Sequence, residues 1–144
     1  MTSKPFDKSH YDADDNAKHE LIRWLEDRHG FMAWVNDDQY GIDVIAVKNG
    51  ETFEFEVEVK HNWKGQGFPF DAVHWSARKL KFATESKLNW FVMFNDERDR
   101  ALFASGATLL DCPVVVKDTK YTVGERFVEV PLGRCIFRNM REGK

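Results

Sequence analysis

Residues 41–60 of the chain are GIDVIAVKNGETFEFEVEVK, two apolar segments separated by Asn49-Gly50. Asn-Gly between alternating segments is the strongest short-range signal of a two-residue hairpin turn. We therefore predict a strand over Tyr40 to Lys48, a tight turn, and an antiparallel strand over Thr52 to Lys60.

The turn also sets which residues of the two strands face each other. A two-residue turn places Lys48 opposite Glu51, and counting outward places Asp43 opposite Glu56, with Glu58 just beyond. A bulge or a longer turn would shift this register by a residue or two, so Glu56 is kept as a further possible participant.

The second strand alternates strictly between apolar and charged side chains, which places the two kinds on opposite faces. The charged face carries Glu54, Glu56, Glu58 and Lys60. Such alternation is typical of a sheet with one solvated face and of a protected edge strand. The carboxylate of Asp43 inside an apolar strand is less ordinary and favours a function for this face.

Two carboxylates and an ammonium on one face suit the hydrolysis of a phosphodiester. A divalent cation held by carboxylates polarises the phosphate and lowers the pKa of bound water, and Mg²⁺ prefers oxygen ligands. We interpret Asp43 and Glu58 as ligands of Mg²⁺, with Mn²⁺ able to substitute. Lys60 would orient or deprotonate the attacking water, or balance the developing charge.

The surrounding pattern predicts helix, three strands, helix, strand. An amphipathic helix with Asp12, Asp14 and Asp15 at its start ends at Gly30. The other predicted elements are strands at 31–35, 40–48 and 52–60, a helix over Asp71 to Lys87, strands at 89–95 and 101–104, a helical turn at 107–110, short strands at 114–116 and 126–130, and a frayed tail over the last ten residues.

This order resembles the core of the PD-(D/E)xK nuclease superfamily. Asp43 matches the family's acid on the second core strand, although Ile42 stands where the family's proline would be. Glu58-Val59-Lys60 matches the (D/E)xK motif, and Glu20 matches the acid that many members carry on the first helix. Within this superfamily, the local sequence pattern most resembles that of archaeal-type Holliday-junction resolvases.

The resemblance implies an α/β fold with a mixed sheet (α+β), a restriction-endonuclease-like αβββαβ core flanked by helices. It implies a single domain over 1–144, with the core at about 12–105 and an unassigned extension at 106–144. The implied activity is that of a Mg²⁺-dependent endodeoxyribonuclease, selective for junctions or branched DNA and acting as a homodimer. Catalytic residues would be Glu20, Asp43, Glu58 and Lys60, with the Val59 carbonyl as a further metal ligand and Glu20 bound through water.

Charge is distributed unevenly although the net charge is only −3. Residues 12–58 hold thirteen acids against four Lys and Arg, whereas residues 60–90 hold six Lys and Arg against two acids. The basic segment suits phosphates, and its candidate contacts to DNA are Lys64, Arg78, Lys79 and Lys81. Trp63, Phe68 and Phe70 could stack on unpaired bases or belong to the core beneath a glycine-containing loop.

Length and composition limit the remaining options. At 144 residues the chain is long enough for one domain with a sizeable core, and no apolar segment approaches the ~20 residues that span a bilayer. Residues 1–15 are polar, unlike a signal or transit peptide. The two cysteines, Cys112 and Cys135, have no metal-ligand spacing, so we expect a cytoplasmic protein without a membrane partner.

The sequence is also compatible with two other functions. A catalytically inactive module could keep the nuclease fold and bind nucleic acid or a protein partner. A nuclease acting on RNA or single strands would differ only in substrate, because phosphate contacts are similar for each.

Overall fold

The computed structural model describes residues 8–38 and 40–141, with only the backbone given for 8–14. One long helix and two β-sheets make up most of this part of the chain. In order, the elements are α1 (Lys8–His29), β1 (Met32–Val35), β2 (Val44–Lys48), β3 (Glu51–Val59), β4 (Ala72–Ser76), a 3-10 helix (Ala77–Phe82), β5 (Asn89–Phe94), β6 (Arg100–Ser105), α2 (Gly106–Leu110), β7 (Val114–Lys117), β8 (Glu125–Pro131), a 3-10 helix (Leu132–Arg134) and β9 (Ile136–Asn139).

The predicted hairpin is confirmed, including its register, but its first strand begins at Val44 rather than at Tyr40, so Asp43 precedes the strand instead of lying within it. Asn49 and Gly50 have φ values of 54° and 79°, the left-handed values that a type I′ turn requires at both positions. Lys48 lies opposite Glu51, and the last pair of the ladder joins Val44 to Phe55. Asp43, one residue before β2, therefore lies next to Glu56.

The main sheet has the order β1-β2-β3-β5-β6-β9. Strands β3 and β5 are parallel, whereas the other neighbouring pairs are antiparallel. This mixed sheet confirms the predicted mixed α and β class. Helix α1 packs on one face of the sheet, and Gly30, with φ 69°, ends the helix as expected. The acids predicted at its start lie within the helix, which extends to Lys8.

The predicted helix over Asp71 to Lys87 is wrong. Residues 72–76 form β4, and a short 3-10 helix follows. Val73 and Trp75 are fully buried while His74 between them is not, a period of two that a strand satisfies and a helix does not. β4 belongs to a second sheet, β4-β8-β7, so a sheet rather than a predicted helix covers this face of the main sheet.

Two apolar cores lie on the two faces of the main sheet. One, beneath α1, includes Leu21, Leu25, Val44, Phe55 and Phe94. The second lies between the sheets and includes Trp63, Trp75, Phe91, Met93 and Val128. Trp63 is therefore a core residue, whereas Phe70 is 43% exposed and Phe68 is half-buried.

The segment after residue 105 completes both sheets. The predicted helical turn at 107–110 and the strands at 114–116 and 126–130 are confirmed as α2, β7 and β8. The prediction of a frayed tail is wrong for Ile136–Asn139, because this segment pairs with β6 as the edge strand β9. Residues 142–144 of the predicted tail lie outside the described part. Among the described residues, no helix has the length and apolar character to cross a membrane.

Candidate active site

Asp43 is held against β3 by backbone contacts. Its carboxylate oxygen Oδ2 accepts a hydrogen bond from the backbone N–H of Val57 at 2.8 Å. Oδ1 lies 3.5 Å from the ammonium of Lys18 on α1. The N–H of Asn36 donates to the Asp43 carbonyl at 2.9 Å, so both the backbone and the side chain of Asp43 are fixed.

Glu56 is the most buried carboxylate of this face, with 1% of its surface exposed. Its Oε2 accepts from the ammonium of Lys79, and within the described part of the chain no donor reaches Oε1. The pKa of Glu56 is raised to about 7; burial is the largest cause, the neighbouring Asp43 adds to the rise, and Lys79 opposes it. Phe91 on β5 lies directly opposite Glu56, which accounts for part of this desolvation.

Glu58 and Lys60 continue the same face of β3 toward its end. Glu58 is half-buried, and its charge acts on both Lys60 and Lys79. Burial and the charge of Lys117 lower the pKa of Lys60, against the opposing effect of Glu58. A lowered pKa is the direction that a general base requires.

Lys60 itself is positioned from two sides. Its backbone N–H donates to the carbonyl of Phe94 at 2.9 Å, which extends the parallel pairing with β5 by one residue. Its ammonium lies 5.1 Å from the ring centroid of Phe70, a cation–π distance. Val59, whose carbonyl the resemblance implies as a ligand, ends β3 opposite the same Phe94.

Lys79 enters the site from the 3-10 helix that follows β4. Burial lowers the pKa of Lys79, but the carboxylates of Glu56, Glu58 and Asp43 together outweigh burial and raise it. The ammonium is thus the positive centre of a three-carboxylate cluster. We call Asp43, Glu56, Glu58 and Lys79 the carboxylate cluster below.

Glu20 makes different contacts. Its carboxylate lies 3.1 Å from Arg23 of α1 and 3.4 Å from Arg141 near the chain end. The α1 residue that reaches Asp43 is Lys18, and positions two apart on a helix lie about 200° apart around its axis. The participation of Glu20 therefore stays a prediction from the resemblance, without a contact that supports it.

The other basic residues predicted to contact phosphate lie at the surface. The ammonium of Lys64 is 2.7 Å from Asp96. Arg78 and Lys81 flank Lys79 on the 3-10 helix and are exposed, Lys81 lying 5.0 Å from the ring of Phe82. Lys79 differs from these three because its ammonium points into the protein, at Glu56.

Sequence reasoning did not find Lys18 and Lys117, and it named Lys79 as a phosphate contact without its contact with Glu56. Lys117 acts on Lys60 from β7, far along the chain, and no local pattern marks it. A helix over 71–87 would place Lys79 away from the apolar stripe of residues 73, 77, 80 and 84, whereas the strand and 3-10 helix direct its ammonium to Glu56. Trp75, one of a pair of alternating buried residues with Val73, was the available signal.

The carboxylate cluster supplies the type of ligand that a hard divalent cation prefers, although its carboxylates are not arranged around one point. The described residues include no group of three or more His, Cys, Asp or Glu arranged as a ready metal site. Glu56 nevertheless has a buried oxygen without a donor, and a cation would satisfy it; carboxylate oxygens are the ligands that Mg²⁺ prefers. No protein-family model matches the chain, and no curated protein is significantly similar to it in sequence.

Proposed function

We propose that the chain is a Mg²⁺-dependent endonuclease that hydrolyses phosphodiester bonds in DNA. One observation carries this proposal: the hairpin register holds the Asp43 carboxylate on the N–H of Val57, beside Glu56 and on the same face as Glu58 and Lys60. Mn²⁺ should replace Mg²⁺, because both take oxygen ligands.

The residues divide the chemistry among them. Asp43, Glu58 and Glu56 would hold the cation, which when bound supplies a Lewis acid and lowers the pKa of a bound water. Because Val57 fixes the Asp43 carboxylate, little of its rotational freedom remains to be lost when it binds a ligand. Lys60, with its lowered pKa, would take the proton of the attacking water or neutralise the charge that develops on the phosphate.

The resemblance and the surface around the site support a proposal for the substrate, the oligomeric state and the location of the protein. Exposed Arg78, Lys81 and Lys117 lie on the elements that border Lys60 and Lys79, and cations so placed suit the backbone of a duplex. We propose junctions or branched DNA as the preferred substrate, cut symmetrically by a homodimer. Cysteines 112 and 135 are free thiols, in keeping with a cytoplasmic location.

Cleavage of a labelled duplex and a labelled four-way junction tests the proposal. In Mg²⁺ we expect wild-type protein to cut, and Asp43→Ala and Lys60→Ala to lose about 100-fold or more in rate, because each removes a group that acts in the transition state. Glu54→Gln is the matched control, since Glu54 lies on the same face of β3 but opposite Ile45. Equal rates for wild type, Asp43→Ala and Lys60→Ala would show that the site is assigned wrongly.

A binding module without turnover is the second candidate, and the Glu56–Lys79 ion pair favours it because Lys79 already supplies a positive charge. Titration with Mn²⁺ separates the two functions. An active site raises the thermal stability as Mn²⁺ is added, and Asp43→Ala reduces that rise. A pure binding module binds DNA without any change in stability on addition of Mn²⁺.

A further inference from the structure

We propose that Lys79 is the internal counter-ion of the metal-free site, which a divalent cation must displace, and that the displaced ammonium then binds a DNA phosphate. This inference rests on the proposed metal-dependent function. It assigns Lys79 two alternative partners, the Glu56 carboxylate without metal and a substrate phosphate with it.

The contacts of Lys79 support the first partner. Its ammonium bonds Oε2 of Glu56, a side chain that is 1% exposed. The charges of Asp43 and Glu58 also stabilise the same ammonium. A buried carboxylate needs a compensating charge, and truncating its partner is strongly destabilising. In the described structure Lys79 supplies that charge.

An ammonium and a divalent cation compete for the same oxygens. Oε1 of Glu56 is buried and faces no donor among the described residues, so the carboxylate has coordinating capacity left that one ammonium does not use. Two cations within a few ångströms in a poorly hydrated site repel each other strongly. Binding of Mg²⁺ through Glu56 and Asp43 would therefore drive Lys79 out.

Lysine is suited to such a movement. Its charge is compact and sits on a flexible four-carbon stem, unlike the rigid fork of arginine. The Lys79 side chain is 27% exposed, so an outward path exists. Its neighbours Arg78 and Lys81 are exposed on the same 3-10 helix, and the released ammonium would join them at the surface that a phosphate approaches.

Two consequences follow. Metal affinity is lower than the carboxylates alone would give, because the ion pair must break first. Metal and DNA also bind cooperatively, since the metal releases a phosphate-binding group and DNA holds that group away from Glu56.

Mn²⁺ binding without DNA tests the first consequence, with calorimetric titration as the readout. We expect Lys79→Met to bind Mn²⁺ about 10- to 100-fold more tightly than wild type, because the competing charge is gone. Lys87→Met, which changes an exposed lysine a few residues beyond the same 3-10 helix, should bind Mn²⁺ with the wild-type affinity. Lys79→Arg keeps the positive charge and can form two hydrogen bonds to the carboxylate, so it should bind Mn²⁺ more weakly than wild type. This variant provides the test if Lys79→Met does not fold.

DNA binding tests the second consequence, in a Lys60→Ala background that prevents cleavage. In Mg²⁺, adding Lys79→Met should reduce the slope of log K against log salt by about 0.9, the loss of one phosphate contact. In EDTA the same change should leave the slope as it is, because Lys79 is then held by Glu56.

The outcomes distinguish the two proposals. If wild type binds Mn²⁺ but Lys79→Met binds it equally or more weakly, the counter-ion role of Lys79 is wrong and the metal site stands. A salt slope that changes equally in Mg²⁺ and EDTA also overturns the exchange of partners. If wild type and every variant bind no Mn²⁺, both the metal-dependent function and the role of Lys79 are wrong.

Discussion

Replacing Glu56 by glutamine should remove a specific part of the pH dependence of stability. Burial raises the pKa of Glu56 to about 7 from 4.5, so the folded chain keeps this proton where the unfolded chain has lost it. Stability from this group is fully present below pH 4.5 and falls as the pH rises toward 7. Glutamine keeps the shape of the side chain and does not ionise.

The size of the effect follows from the two pKa values. At roughly 1.4 kcal/mol per pH unit, a pKa of about 7 against 4.5 corresponds to about 3 kcal/mol in total. About 2–3 kcal/mol of this falls between pH 5 and pH 8, because the carboxyl of the unfolded chain is already mostly ionised at pH 5. No reduction for solvent screening is needed, since Glu56 is 1% exposed.

Urea denaturation in EDTA at several pH values from 5 to 8 measures the difference. The free energy of unfolding of wild type relative to Glu56→Gln should fall by about 2–3 kcal/mol across this range. The attraction of Lys79 for the ionised carboxylate is already included in the pKa of Glu56, so its loss in the variant adds no further pH dependence. Glu54→Gln, on the same face but half-exposed, controls for charge. If the free energies of unfolding of wild type and Glu56→Gln change with pH in parallel, the pKa of Glu56 is not raised by burial and the reasoning is refuted.

Two glycines give further predictions about stability. Gly106→Ala should destabilise by about 2–4 kcal/mol in thermal denaturation, because a Cβ there would lie 2.0 Å from Oδ1 of Asn89 and 2.7 Å from the Thr84 carbonyl; a loss below about 0.5 kcal/mol would show that α2 can shift freely. Gly50→Ala should cost about 1 kcal/mol, because its φ is 79° although the space around it is open. Gly133→Ala, with open space and no positive φ, is the control for both and should leave the melting temperature unchanged.

The hairpin could be predicted because its determinants are local. The Asn49-Gly50 turn needs only its own two residues, and once the turn is fixed, the alternation of β3 decides which side chains face Asp43. The predicted facing of Asp43 and Glu56 follows from the same counting, with the ladder ending at Val44 and Phe55. Turn chemistry and period-2 alternation point to the same register, so nothing distant is needed.

The crossover between β3 and β5 could not be predicted in the same way. Residues 73, 77, 80 and 84 fit a helical stripe, while 73 and 75 fit a strand. The partner that decides between them is β8, in which Val130 pairs with Val73, more than fifty residues further along the chain. Strand β9 was missed for a similar reason, because its pairing with β6 stabilises a segment with little alternation of its own.

The wrong helix prediction over residues 71–87 and the unexpected position of Lys79 in the site have one cause. Strand β4 buries Val73 and Trp75 in the core between the sheets. The 3-10 helix that follows brings Lys79 over the face of β3 that carries Glu56. Glu56 lies beside Phe91 in a poorly hydrated position, where an ionised carboxylate needs a nearby positive charge. Val73 and Trp75, whose burial favours a strand over the predicted helix, therefore also position the ammonium of Lys79. Glu56 depends on that charge, and the proposed metal site depends on Glu56.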